Sequence, residues 1–228
     1  MTGEPWRPAA ITFDCYGTLI DWNRGIETAI AAVPSLRSLS DRARREIRER
    51  REAIEFERHL PGAWRPYREV LAESLRDAAR EGGIDVPAAE AASFAASMGR
   101  WPPHPDAPPA LLRLRPRFGL AILSNVDRST LLESVRLLGV SFDLLVTAED
   151  VRSYKPAPAH FERALADLGL SPSEVLHVSF TADHDLRPAE RLGIPTAWVR
   201  RYGVPEPRDL RPRFSVPDLL ALAEALGA

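Results

Sequence analysis

Three short polar clusters in this chain have the residue types of a reaction centre. The first is Asp14-Cys15-Tyr16-Gly17-Thr18, directly after the apolar triplet Ile11-Thr12-Phe13. The second is Ser124-Asn125, after the apolar run 118–123. The third holds Ser179, Thr181, Asp183 and Asp185, after the run 175–178. Ahead of the third stands Lys155, in Tyr154-Lys155-Pro156. Together they offer a carboxylate that can attack or take a proton, a cation, hydroxyl and amide donors for developing negative charge, and a further carboxylate. Each also has a plain structural reading: a turn cap for Asp14, an ordinary turn for Ser124-Asn125, a solvated surface position for Lys155. Their shared placement, each beside an apolar run and in order along the chain, favours the chemical reading.

Such residues act together only if the fold gathers them. The β-propensity of Ile11, Thr12 and Phe13 predicts a buried strand, and Gly17 permits a sharp turn after it. From residue 24 to about 101 the pattern is helical. It has a charged helix over 40–58 capped by Ser40 or Asp41, a second over 67–80 ended by Gly82-Gly83, and an Ala-rich third over 87–98. The proline-dense segment 101–109 cannot be a helix interior or a central strand and reads as a return from an insertion. Strands and helices then alternate: strands over 118–123, 144–146, 175–178 and 196–199, with helices from Asp127 to Leu138, over 158–168, around 189–192 and over 217–226. Alternation of this kind predicts an α/β fold, a parallel sheet covered on both faces, which brings the C-terminal strand ends into one crevice.

Composition narrows the function classes. The chain has 228 residues, 30 basic and 32 acidic side chains and a formal net charge of -2. This balance argues against nucleic acid as a partner. One cysteine, Cys15, allows neither an internal disulfide nor a thiolate zinc site. No apolar run approaches transmembrane length and no signal pattern opens the sequence, so the expectation is a soluble, cytoplasmic protein without a membrane partner.

The succession FDCYGTLIDW, LSN, YKPAPAHF and an Asp-bearing loop after VLHV resembles the haloacid dehalogenase-like hydrolase superfamily. The resemblance implies a Rossmann-like core from residues 1–22 and 105–228, with a helical cap inserted at 23–104. Most of that superfamily are magnesium-dependent phosphatases, which carry a second Asp two residues after the nucleophile and Gly-Asp in the late loop. This chain has Tyr16 and Ser179-Phe180 there. A phenol is a poor acid at pH 7, and a halide leaves without a proton. Both departures resemble the type II 2-haloacid dehalogenases, which implies a small halogenated carboxylate as substrate, no cofactor, no metal and room for a homodimer.

By that resemblance Asp14 is the nucleophile, with Thr18 and Ser124 holding its oxygens. Lys155 keeps its pKa down, and Asp185, with Lys155, orients or activates water. Tyr16, Asn125, Thr181, Ser179 and Cys15 fall beside the substrate, although Cys15 has no base near it in sequence and as a thiol reads as packed. Arg58 is the cap cation for the substrate, with Arg65 the next choice. His184 either joins the acid–base work, orients Asp185 or packs on the cap; His177 reads as a core histidine. Trp22, Trp64 and Trp101 either line an apolar pocket or pack. Phe161 and Thr181 replace a tyrosine and an asparagine common in the dehalogenases. Three other readings remain at this point: a magnesium-dependent phosphatase, a hydrolase opening a strained small ring, and a non-catalytic binding relic.

Overall fold

Strands with no polar face must lie inside a sheet covered on both sides. In the computed structural model, which describes residues 6–59, 64–205 and 207–228, Ala10–Phe13 (β1) is buried along its whole length. It lies in the middle of a six-stranded parallel sheet ordered β3-β2-β1-β4-β5-β6. The others are Gly119–Ser124 (β2), Leu144–Thr147 (β3), Val175–Ser179 (β4), Thr196–Val199 (β5) and Phe214–Val216 (β6). The strand order reverses at β1, so the C-terminal ends of β1, β2 and β4 flank the crevice where open α/β sheets bind ligands. Asp14, Ser124 and Ser179 stand at those three ends.

Between β1 and the rest of the sheet the chain makes a helical excursion: Trp22–Ala32 (α1), Asp41–His59 (α2), Tyr67–Glu81 (α3) and Ala88–Ala96 (α4). Val70, Leu71, Leu75 and Ala78 of α3 are buried, on the one face that their spacing predicts. The helices of the sheet follow: Ala107–Leu114 (α5), Arg128–Leu138 (α6), Ala148–Val151 (α7), Ala159–Leu168 (α8), Arg187–Arg191 (α9) and Leu219–Ala225 (α10). A π-helical turn, Ala182–Leu186, links β4 to α9. Among the described residues no helix is long and apolar enough to cross a membrane.

Two elements were not foreseen, and one expectation needs correction. Helix α5 begins inside the proline-dense segment: Pro108 and Pro109 occupy its first turn, where no backbone N–H needs a partner. β6 is too short, at three residues, to show a period. Asp127 does precede α6, but its side chain does not cap that helix. Its carboxylate instead accepts from the backbone N–H groups of Tyr67 (3.1 Å) and Arg68 (2.7 Å) at the start of α3. The Tyr154 hydroxyl donates to the Arg65 carbonyl (2.6 Å) just before α3. Thus the helical excursion is tied to the core by residues next to Asn125 and Lys155.

Gly17 is the tightest point of the first turn. Its φ is +98°, and a Cβ there would lie 2.1 Å from the Phe180 ring. Gly17→Ala therefore combines left-handed strain with a clash against a packed ring, and is expected to cost about 2 kcal/mol or more of unfolding free energy, read by urea denaturation.

Candidate active site

β1 delivers Asp14 to the crevice with its side chain 11 % exposed. One carboxylate oxygen, Oδ2, accepts from the Thr18 hydroxyl at 2.8 Å. The other, Oδ1, accepts from the Lys155 ammonium at 3.0 Å. Lys155 Nζ also donates to the Leu123 carbonyl (2.9 Å) and to Asp185 Oδ1 (2.6 Å), so all three of its protons are placed. The amide of Asn125 grips the Lys155 backbone on both sides: it accepts from the N–H (2.7 Å) and donates to the carbonyl (3.1 Å). Asn125 also lines the cavity above Asp14, but its polar atoms position the lysine.

Asp185 is almost completely enclosed, at 1 % exposure. Besides Lys155, its Oδ1 meets His177 Nε2 (3.0 Å). The acceptor here is a carboxylate, so Nε2 carries a proton, and Nδ1 is hydrogen-bonded with the Thr12 hydroxyl (2.9 Å). Ser179 (3.0 Å) and Thr181 (2.5 Å) donate their hydroxyls to Asp185 Oδ2. His177 is thus a buried histidine, as its place in a strand predicts, and also an orienting partner of a site carboxylate, which the sequence does not reveal.

Charge and burial set the protonation states. Burial is the largest influence on Asp14 and raises its pKa above the ordinary carboxylate value, against the pull of Lys155 and Thr18. Lys155 does pull it down, as expected, but burial outweighs that pull. Burial also works on Asp185, but Lys155 and His177 overcome it and hold that group well below the ordinary range. Lys155, desolvated but flanked by two carboxylates, is raised and stays charged. Asp14 therefore takes the first proton on acidification. Any reaction that needs its carboxylate loses rate as pH falls through its pKa. The acid limb of kcat/KM is expected above pH ~3.9, the usual aspartate value, in a pH–rate profile.

A cavity of about 230 Å³ opens over Asp14. Its walls include Tyr16, Trp22, Ser124, Thr181, Glu55 and His184. The Tyr16 hydroxyl pairs with Ser134 Oγ (2.8 Å), and its ring stands edge-on to Trp22 and Trp101. Burial pushes the phenol well above its usual pKa, so it holds its proton. Phe180, where a phosphatase would place an acid, lies over Gly17. The residues do not fit magnesium, which requires several oxygen ligands in near-octahedral array. Lys155 already holds an oxygen of each carboxylate, and no group of three or more His, Cys, Asp or Glu among the described residues could hold a metal ion.

The family pattern described as haloacid dehalogenase-like hydrolase matches residues 8–193. The chain belongs to that family. This hydrolase is 31 % identical over 222 residues to an (S)-2-haloacid dehalogenase of Pseudomonas sp. strain YL, covering 94 % of this chain and 92 % of the relative. It is 34 % identical over 173 residues to a phosphoserine phosphatase of Thermus thermophilus, covering 72 % and 68 %. Among solved structures, a defluorinating L-2-haloacid dehalogenase superposes with a TM-score of 0.83 at 28 % identity, covering 98 % of this chain and all of the other (100 %).

Several site expectations for this hydrolase change once the chain is folded. Ser179 is fully buried and spends its hydroxyl on Asp185 and on the Thr181 N–H, so it supports the site without facing substrate. Cys15 is likewise enclosed in the hydrophobic core. Burial, then the Asp14 charge, pushes its thiol well above the usual pKa. Ellman's reagent is expected to leave the native protein unlabelled and to titrate one thiol after unfolding in guanidinium. The side chain of Arg58 lies outside the described residues. Arg65 pairs with Glu73 and Glu69 on the surface and is not a cavity cation. Of the tryptophans, Trp22 lines the cavity, Trp101 packs behind it, and Trp64 lies beneath the Arg152 guanidinium. Phe161 stacks edge-on against His177 in the core.

A buried cation beside the cavity wall, not singled out by the sequence, is Arg51. It is fully buried on α2, with its guanidinium 5.5 Å from the centre of the Trp22 ring. Nη1 donates to Glu55, which also accepts from the Tyr67 hydroxyl; Nε and Nη2 have no hydrogen-bond partner among the described residues. Trp22, Glu55 and Tyr67 are all walls of the cavity. A signal was present in the sequence: Ile47 and Ile54 mark the buried face of α2, and Arg51 falls between them at helical spacing.

Proposed function

We propose that this hydrolase displaces halide from short 2-haloalkanoic acids through an ester on Asp14, without a metal ion. The observation that carries the reading is the single ammonium, Lys155, shared by two buried carboxylates of opposite pKa direction. It keeps Asp14 negative without engaging Oδ2, which is held by one hydroxyl. A carboxylate whose pKa lies above normal is the more basic and the better nucleophile.

In the first half-reaction an Asp14 oxygen attacks the carbon bearing halogen. The C–O bond forms as the C–halogen bond breaks, and halide departs with the bonding pair. No acid is required, which agrees with a protonated, hydrogen-bonded Tyr16 at the position of the phosphatase acid. The aromatic walls formed by Tyr16 and Trp22 desolvate the leaving halogen. Arg51, paired with the cavity-wall residue Glu55, is the buried cation we assign to the substrate carboxylate or the halide. In the second half-reaction water attacks the ester carbonyl, and Lys155 and Thr18 offset the charge that forms on Asp14.

A phosphatase reading draws on the Thermus relative, but the donor set around Asp14 does not suit magnesium. Halide release from 2-chloropropionate and chloroacetate, with and without EDTA, tests the proposal. EDTA-insensitive release is expected. Magnesium-dependent cleavage of a phosphate ester with no halide release overturns it.

A further inference from the structure

A carboxylate acting as general base needs a free lone pair facing the water. An ionised carboxylate has about four acceptor positions. In Asp185 these are met by four donors, Lys155 and His177 on Oδ1, Ser179 and Thr181 on Oδ2. The group is 1 % exposed. Water could reach it only by displacing one of these partners, each of which is itself fixed by the fold. Asp185 is built as an anchor for Lys155.

One residue earlier, on the turn Ala182–Leu186, stands His184. Its ring is half-buried and makes no hydrogen bond with any described residue; its one ring contact is with Phe56 of α2, edge-on at 6.1 Å. It lines the cavity over Asp14. It also lines a second cavity of about 420 Å³, which shares Lys155, Phe180 and Thr181 with the first. The far walls of that second cavity include Phe56 and Val204, 52 % and 41 % exposed, so it reaches solvent. His184 therefore stands on the wall common to the reaction cavity and a solvent-connected space, with neither ring nitrogen bonded to a described residue. At ~30 Å³ per water, the smaller cavity is only a few molecules across. His184 and Asp14 both line it, so water held there meets both side chains.

We propose that His184, and not Asp185, takes the proton from the water that hydrolyses the Asp14 ester, the second cavity supplying that water. The proposal rests on the aspartyl-ester reading above. Water oxygen bonds to the Asp14 Cγ while its proton passes to the imidazole. The tetrahedral species then breaks the ester C–O bond, and the departing alkoxide takes the proton from the imidazolium. The product is the 2-hydroxy acid. Asp14 regains its carboxylate by losing the remaining water proton to solvent, so each turnover releases one halide and one proton. Asp185 is then a positioning residue that holds Lys155.

The test uses His184→Phe, which keeps the ring against Phe56 and cannot take a proton. Rapid-quench halide release from 2-chloropropionate is followed alongside mass analysis of the Asp14 peptide. The expected result is a burst of one halide per site at the wild-type rate, then steady-state release slower by about 100-fold or more, with the ester accumulating on Asp14. Steady-state release at the wild-type rate, or a burst slowed as much as turnover, overturns the proposal while leaving the ester reading intact. Absence of halide release from the wild-type enzyme overturns both.

Discussion

Asp14→Asn is expected to lower halide release by about 10⁴-fold or more, to the background of the assay. An amide oxygen is a far weaker nucleophile than a carboxylate, and Asp185, the other carboxylate on Lys155, cannot take its place. Asp185 is enclosed and has its four acceptor positions occupied. A loss of that size is about 5.5 kcal/mol of transition-state stabilisation. The fold should not suffer. Burial raises the Asp14 pKa in the folded state, so its ionised form is less favourable there than in the unfolded chain. That term is absent at low pH and weakens the fold as pH rises through the raised pKa. Replacing the charge by an amide removes the term, and urea midpoints at neutral pH are expected to be unchanged or higher. A variant that lost both activity and fold would show that Asp14 has a structural role instead.

Lys155→Met is expected to damage activity and fold together. It leaves Asp14 and Asp185 buried without their common counter-charge and the Leu123 carbonyl without its donor. Removing one partner of a buried charge cluster typically costs about 3–5 kcal/mol, and halide release should fall by about 10³-fold or more because Asp14 no longer stays ionised. The stability deficit, unlike the loss of activity, should shrink as pH falls, since protonating one carboxylate relieves the repulsion. Adding Asp14→Asn to Lys155→Met should recover part of the lost stability, a coupling that a double-mutant cycle in urea would measure. Additive effects would mean that the two side chains do not interact as their 3.0 Å separation implies.

The parts legible in the sequence were those written in neighbouring residues. Asp14 after Ile11-Thr12-Phe13, Ser124-Asn125 after an apolar run and Lys155 before a helix each carry their position with them, and the parallel sheet follows from the alternation of elements. The parts that were not legible depend on pairs far apart in the chain. Asp127 caps α3, about sixty residues upstream, because the excursion folds back on the core. His177 reads as a core residue until β4 and the following turn bring it to Asp185. The four donors on Asp185 come from Lys155 and from the stretch 177–181, and only the fold joins the two on one carboxylate. Arg51 was hidden differently. In a helix dense with arginines, charge alone does not distinguish it, and only its phase between Ile47 and Ile54 marks it as buried.

The most direct test of the central claim is a single turnover with excess enzyme in H₂¹⁸O, followed by mass analysis of the Asp14 peptide and the 2-hydroxy acid. Attack by Asp14 on carbon, then hydrolysis at its own carbonyl, places ¹⁸O in the Asp14 carboxylate and leaves the first-turnover product unlabelled. Label in the product, with Asp14 unlabelled, would mean that water attacks the substrate directly and that no aspartyl ester forms.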